Sequence, residues 1–329
     1  MRTENAHAII VLCSYLCKND GIAPLEPNEW TECAEKLLNA KKQPSDIFDF
    51  SDDDFGGIFG LDKSQIERFV RLRDRSASIA IECANLESRG IFITTRADKD
   101  YPMAIKKKLT KKSPPLFYYC GDIGIANDEC IGFVGSRSIE PCDAEFTQKI
   151  VKKCLNKYTV VSGGAKGVDS TAADAMNREG AAIEYVADSL NKRIKDKDVS
   201  SRIRDERLLI LSAAVPTAGF NVGMAMQRNK YIYAQSLGTV VVRSDYKKGG
   251  TWAGATENLR HNWSRTYCWN NSNYQGNKEL IKLGAIPIDE TFDPNEVKKS
   301  VDIERPKQQW IQTSFFDGLP ADTLKQDDN

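Results

Sequence analysis

The chain has 329 residues, 41% of them hydrophobic, enough to fill the core of one large domain or two ordinary ones, which excludes a disordered protein. Lys and Arg total 46 against 46 Asp and Glu, which excludes a uniformly basic surface and leaves only a local patch for nucleic acid. The nine cysteines include no Cys-x-x-Cys pair and the only histidines are His7 and His261, so no metal, cofactor or disulfide framework is expected, and the thiols suit a reducing cytoplasm.

Residues 1–90 read as a helical domain. Their most apolar run, 8–12, is far too short to cross a bilayer, and no membrane contact is expected. Asn28 can cap a helix carrying Trp30, Cys33, Leu37 and Leu38 on one side. Asp62 or Ser64 can open another that runs through Ile66, Phe69, Val70 and Ile79 towards Leu86. Between them, 55–60 reads as a glycine-broken turn. After Gly90 the pattern becomes a strand at 91–95, a turn at 98–102, a short helix at 103–109 and a strand at 114–119. Lys106, Lys107, Lys108, Lys111 and Lys112 read as a solvated face.

From Ile131 strands and helices alternate regularly. The strand at 158–161 runs into Ser162, Gly163, Gly164, Lys166 and Gly167, then into a helix that Asp169 or Ser170 can cap. Such a loop aims several backbone N–H groups at one point beside the positive end of a helix, and that point favours a phosphate. Gly135, Ser136 and Arg137 repeat the device after the strand at 131–134, and Gly249, Gly250 and Thr251 form a third glycine turn. Further strands are expected at 181–186, 208–211, 239–242 and 266–269, with helices at 143–156, 169–178 and 221–236. Near-continuous apolar strands in this rhythm mean an α/β fold, a mostly parallel sheet with helices on both faces. Ligands bind such sheets at the carboxyl ends of the strands, where all three turns fall. Lys166 sits where a phosphate would lie; Asp169 reads as well as a helix cap, and Arg228 as well as a helix-surface ion pair. His261 is expected to face solvent at a helix end.

The segments 94–102 and 115–121, then Gly135 with Ser136 and Arg137, the 162–169 loop, Gln227 with Arg228, Asn229 and Lys230, the 249–251 turn, and Gly276 with Asn277 through 285 occur in order. Together they resemble the DprA/Smf (DNA-processing protein A) family over about residues 45 to 286. The resemblance implies an extended Rossmann-like domain over 91–289 behind a SAM-like helical domain over 1–90. It implies a homodimer that binds and protects single-stranded DNA and helps load a RecA-type recombinase, chiefly in natural transformation. By position it makes Arg137 the pocket arginine, 162–169 the glycine loop, and Arg228 with Asn229 the Arg-Asn pair. The residue types suit that task, because Arg137, Lys166, Arg228 and Lys230 can follow a phosphate backbone while Phe220 or Tyr231 offers a π-face. Two departures stand out. More residues separate Phe220 from Arg228 than in the family pattern, and 290–329 reads as a flexible tail too short and polar for the family's winged-helix-like module.

Three further readings attach to named residues. The run from Gly249 to Glu257 is similar to the motif of LOG-type nucleoside-monophosphate phosphoribohydrolases, where Glu257 would stabilise charge as an N-glycosidic bond breaks. A nucleotide-sensing module would use the same pocket without chemistry. In the tail, Gln312, Ser314, Phe315 and Phe316 resemble the peptide by which replication and repair proteins dock on the sliding clamp; alternatively Trp310, Phe315 and Phe316 pack back onto the body. The expectation carried forward is DNA binding without covalent chemistry.

Overall fold

The computed structural model describes residues 3–17, 21–176 and 179–298. The clamp-docking segment, with Gln312, Ser314, Phe315 and Phe316, lies outside the described residues.

Five helices lead the chain: α1 (Glu4–Cys13), α2 (Pro27–Asn39), α3 (Asp52–Phe59), α4 (Lys63–Asp74) and α5 (Ser76–Glu87). The apolar run at 8–12 is the wholly buried centre of α1, around which the others pack. The single helix expected through 62–86 is two helices that break at Arg75. Arg75 Nε and Nη2 donate to Val11 O at 2.8 and 2.6 Å, and Nη2 donates to Ser14 O at 2.9 Å. The guanidinium thus satisfies carbonyls at the C-terminal end of α1 that no further turn can reach. Arg75→Ala is expected to cost about 2–3 kcal/mol, because buried acceptors are stranded. A lower urea midpoint at unchanged slope would register it.

The glycine-broken turn expected at 55–60 is instead helix α3. Asp54 N–H donates to Ser51 Oγ at 3.2 Å while Ser51 N–H donates to Asp54 Oδ2 at 2.9 Å, a reciprocal N-terminal cap. Phe55 and Phe59, one turn apart, each lie 5.6 Å from the ring of Phe69 on α4. That cap and the aromatic burial outweigh the roughly 1 kcal/mol that each of Gly56 and Gly57 costs a helix.

The rest of the chain alternates. In order come β1 (Phe92–Thr95), α6 (Met103–Leu109), β2 (Leu116–Cys120), β3 (Cys130–Val134), α7 (Pro141–Cys154), β4 (Thr159–Ser162), α8 (Val168–Met176) and β5 (Ala182–Tyr185). Then follow α9 (Leu190–Arg193), α10 (Lys197–Arg204), β6 (Leu208–Ser212), α11 (Val222–Gln235), β7 (Gly238–Val241), α12 (Gly249–His261), β8 (Arg265–Trp269), α13 (Gln275–Lys282) and β9 (Ile286–Ile288). Among the described residues these strands form one nine-stranded sheet in the order β1-β2-β6-β5-β4-β3-β7-β8-β9. It is parallel from β6 to β9, and the antiparallel pair β1 and β2, joined through α6, adds antiparallel at the β6 edge. The strand carrying the glycine loop, β4, is central. Alternate side chains divide between the faces: Val160 packs with α7 and α8, while Val161 packs with α11 and α12. The fold is the mostly parallel, helix-covered α/β sheet expected.

Packing crosses both expected boundaries. The N-terminal helices share one core with Ile93, Tyr118, Ala182 and Leu208 of the sheet, so residue 90 marks a change of secondary structure and no break in packing. Residues 290–298, expected as the start of a tail, are held against the body: Phe292 and Val297 are buried beside Tyr267, and Lys153 Nζ donates to the carbonyls of Glu290 and Phe292 at 2.7 and 2.9 Å. The lysines in and just after α6 are also more than a solvated face. Lys106 Nζ donates to Arg96 O at 3.0 Å, Lys108 Nζ donates to Ser236 O at the end of α11 at 2.6 Å, and Lys111 pairs with Glu35 of α2. No helix among the described residues is long and apolar enough to cross a membrane.

Candidate nucleic-acid interface

At the carboxyl edge of the parallel strands, the loops after β3, β4 and β5 and the start of α11 enclose a cavity of about 540 Å³. Arg137 stands at its rim, Gly163, Gly164 and Lys166 form one wall, residues 186–196 form the opposite wall, and Phe220, just before α11, and Arg228 on that helix close it.

The glycine loop is held from within. Asp169 is buried, and its Oδ2 accepts from Gly163 N–H at 3.1 Å and from Arg228 Nη1 at 3.4 Å; the Ala165 amide also bonds this carboxylate. Burial pushes the Asp169 carboxyl above its ordinary value, while Arg228 and the two loop amides pull it back. The place expected for a phosphate at the base of the loop is therefore taken by the chain's own carboxylate. Arg228, only 7% exposed, is its counter-ion, so neither a surface ion pair nor a freely presented phosphate contact describes it. Gly163 is required here by close approach: a Cβ would lie 1.1 Å from Arg228 Nη1. Gly167, at φ 85, packs against the turn after β3, where a Cβ would sit 2.3 Å from Ser136 O. Val168 N–H donates to that same oxygen at 3.2 Å and joins the two loops.

What remains open faces outward. Among the described residues, the amides of Gly164 and Lys166 meet no protein acceptor, and the exposed Lys166 ammonium forms no ion pair. The guanidinium of Arg137 lies 5.8 Å from the ring centroid of Phe220, which is 60% exposed. The extra residues between Phe220 and Arg228 are the first turns of α11, capped by Asn221, and they leave the aromatic at the mouth of the cavity. Across from the loop, exposed Lys192 adds a third cation, and Arg193 is locked in a bidentate pair with wholly buried Glu184 at 2.9 and 2.8 Å. Asp188 accepts from Ser189 Oγ, and Asp196 caps α10 through the amides of Asp198 and Val199. Arg137, Lys166 and Lys192 thus keep their charge for a ligand, while Arg193 and Arg228 neutralise buried carboxylates below.

Other predicted residues are drawn elsewhere. Asn229 Nδ2 donates to Gly250 O at 3.1 Å, and Gly249, Gly250 and Thr251 open α12 outside the cavity lining. Lys230 pairs with Glu257 at 3.1 Å, so this lysine does not stand free for a phosphate, and Glu257 does not reach the cavity as a catalytic carboxylate would have to. Tyr231 is buried against Phe117 and Tyr185, which removes it as a base platform. Ser162 is buried at the end of β4, and Ser136 Oγ accepts from Ser138 N–H. Asn277 bonds Ser244 N–H and the carbonyls of Val242 and Trp269, so the Gly-Asn motif holds strand ends together. Lys192, Arg193, Glu184 and Asp188 escaped the sequence reading. The signal lay in position: the loop after β5 must end at the same edge as the other two, and a charged stretch follows it directly.

A sheet of this order, with a cavity between loops at the carboxyl edge, makes this an extended Rossmann-like α/β protein. Residues 92–297, more than half of the chain, match the model of the DNA recombination-mediator protein A family, and the chain belongs to that family. It is 29% identical over 139 residues to DNA processing protein DprA of Streptococcus pneumoniae (strain ATCC BAA-255 / R6), a match that covers 40% of this chain and 46% of that protein's length. The X-ray structure of DNA processing protein A from Streptococcus pneumoniae superposes with a TM-score of 0.70 at 19% identity, covering 91% of this chain and 98% of that one. A structure of DNA processing protein A from Helicobacter pylori, which reports a single-stranded DNA binding mode for that protein, gives 0.53 at 20% identity over 65% of this chain and 96% of that one.

Proposed function

We propose that this protein binds single-stranded DNA in the cavity at the carboxyl edge, with Arg137, Lys166 and Lys192 on phosphates and Phe220 under a base. The observation that carries the reading is the Arg137–Phe220 pair at the cavity mouth: an unpaired cation and an exposed π-face are what sequence-tolerant single-strand binding needs. Family membership and the binding described for the Helicobacter pylori relative support it. The site works by binding without bond breaking. Glu257 is held by Lys230 outside the cavity, and the buried carboxylates beneath it, Asp169 and Glu184, are each committed to an arginine. Within this reading the protein acts as a homodimer in the cytoplasm, shields single strands and assists a RecA-type recombinase in DNA uptake and recombination.

Fluorescence anisotropy of labelled oligo-dT tests the site. Three free cations should give log K a slope of about −2 against log salt. Arg137→Ala should reduce that slope by about 0.7 and weaken binding by about 1 kcal/mol or more. Absence of binding at low salt would overturn the reading.

A further inference from the structure

A second cation–aromatic pair stands at the same edge, outside the cavity. β7 lies beside β3, and their pairing continues one residue past β7 through Val242 N–H, which donates to Val134 O at the end of β3 at 3.0 Å. Residues 243–248 therefore leave the sheet next to the turn that bears Arg137. In this loop Tyr246 is 41% exposed, Lys247 Nζ lies 5.0 Å from its ring centroid, and Trp252 of α12 meets the ring at 5.1 Å and 85°. Trp252 holds the phenol in place, which lowers the entropy lost when something stacks on it. Lys247 and Lys248 are exposed, have no ion pair among the described residues, and outnumber Asp245, the acidic residue of the loop. Lys247 adopts φ 55, a left-handed backbone that costs energy in a lysine and is kept mainly where function or packing demands it. The arrangement repeats that of Arg137 over Phe220. The Asn229 to Gly250 bond ties the start of α12 to α11 one residue from Arg228, which lines the cavity.

We propose that Tyr246 and Lys247 form a second nucleotide platform, which receives the strand as it leaves the cavity past Arg137. A base stacks on the phenol ring and the lysine turns to the adjoining phosphate, an arrangement that any base satisfies because every base has a π-face. This inference rests on the single-stranded DNA reading and extends its track by one loop across the point where strand order reverses.

The test uses the full chain with oligo-dT of about 4 and about 16 nucleotides, the range of single-strand site sizes. Tyr246→Ala should weaken the longer oligonucleotide about tenfold and the shorter less than about twofold, whereas Tyr246→Phe, which keeps the ring, should bind both like wild type. An oligonucleotide carrying 5-iodouracil should cross-link to Tyr246 on irradiation. Wild-type binding that Arg137→Ala weakens and Tyr246→Ala leaves unchanged at both lengths would overturn the platform alone. Equal loss at both lengths, unrestored in Tyr246→Phe, would also overturn it, since that is a general disturbance of the edge. Wild type that binds neither length overturns the platform and the DNA reading together.

Discussion

Arg228→Ala is expected to destabilise the protein by about 3–5 kcal/mol at neutral pH, because it leaves a buried carboxylate without its counter-ion. Asp169 is buried, and once Arg228 is gone only the amides of Gly163 and Ala165 offset its charge. The pH dependence identifies the group responsible. Burial raises the folded-state value of Asp169 above its ordinary one, so the folded protein holds this proton more tightly than the unfolded chain does. The resulting stability is fully present below the unfolded value and is lost as pH rises through the folded one. Arg228 pulls that folded value down, so its removal widens the interval upward. The deficit of Arg228→Ala relative to wild type should therefore be largest at neutral pH and shrink on acidification, measured by urea unfolding at each pH. Asp169→Asn in the same background should recover much of the loss, since a neutral amide needs no counter-ion and its oxygen can still accept from Gly163. A deficit that stayed constant with pH would mean that Asp169 is not the group Arg228 serves. The same variant should lose DNA affinity through a displaced glycine loop, whereas Arg137→Ala, at an exposed rim, should lose affinity with its midpoint unchanged.

Eight of the nine strands are legible in the sequence because each carries its own signal; β9, three residues long at the sheet edge, does not. Residues 131–134, 158–161 and 208–211 are short, near-continuous apolar runs, and wholly buried strands look like that whatever their neighbours. The carboxyl-edge rule then placed Arg137 and the 162–167 loop at one cavity without any knowledge of side chains. What escaped depends on partners distant in sequence. Asp169 turns inward because Arg228 arrives from another helix, and Lys230 is spent on Glu257 because α11 packs on α12. Tyr231 and Phe220 are both aromatic residues near the same helix, yet one lies on the face that α11 turns to the sheet and the other precedes its cap. Helix α3 was hidden by its two glycines, whose cost is local, while the aromatic cluster that overrides it spans two helices. The N-terminal helices looked separable because secondary structure changes at residue 90, but a shared core is a property of packing and leaves no mark at the boundary.

Gly167→Ala should cost about 3 kcal/mol and abolish oligonucleotide binding, since two penalties fall on one residue. At φ 85 an alanine pays for a left-handed backbone, by about 1–2 kcal/mol. Its Cβ would also stand 2.3 Å from Ser136 O and 2.8 Å from Arg137 Cα, atoms of the main chain that cannot rotate away as a side chain can. The turn after β3 must then retreat, which breaks the bond from Val168 N–H to Ser136 O and carries Arg137 off the ring of Phe220. Gly57→Ala provides the opposite case: nothing lies within 4 Å of a Cβ there, the residue is inside α3, and alanine should stabilise by about 0.5–1 kcal/mol. Urea midpoints and oligo-dT affinities of the two variants, measured side by side, separate a general effect of added methyls from the joining of two loops. If Gly167→Ala kept both the wild-type midpoint and the wild-type affinity, the 135–137 turn would have to move independently of the β4 loop. Arg137 would then owe its position to β3 alone, and the close approach of the two glycine loops would have no part in holding the cavity open.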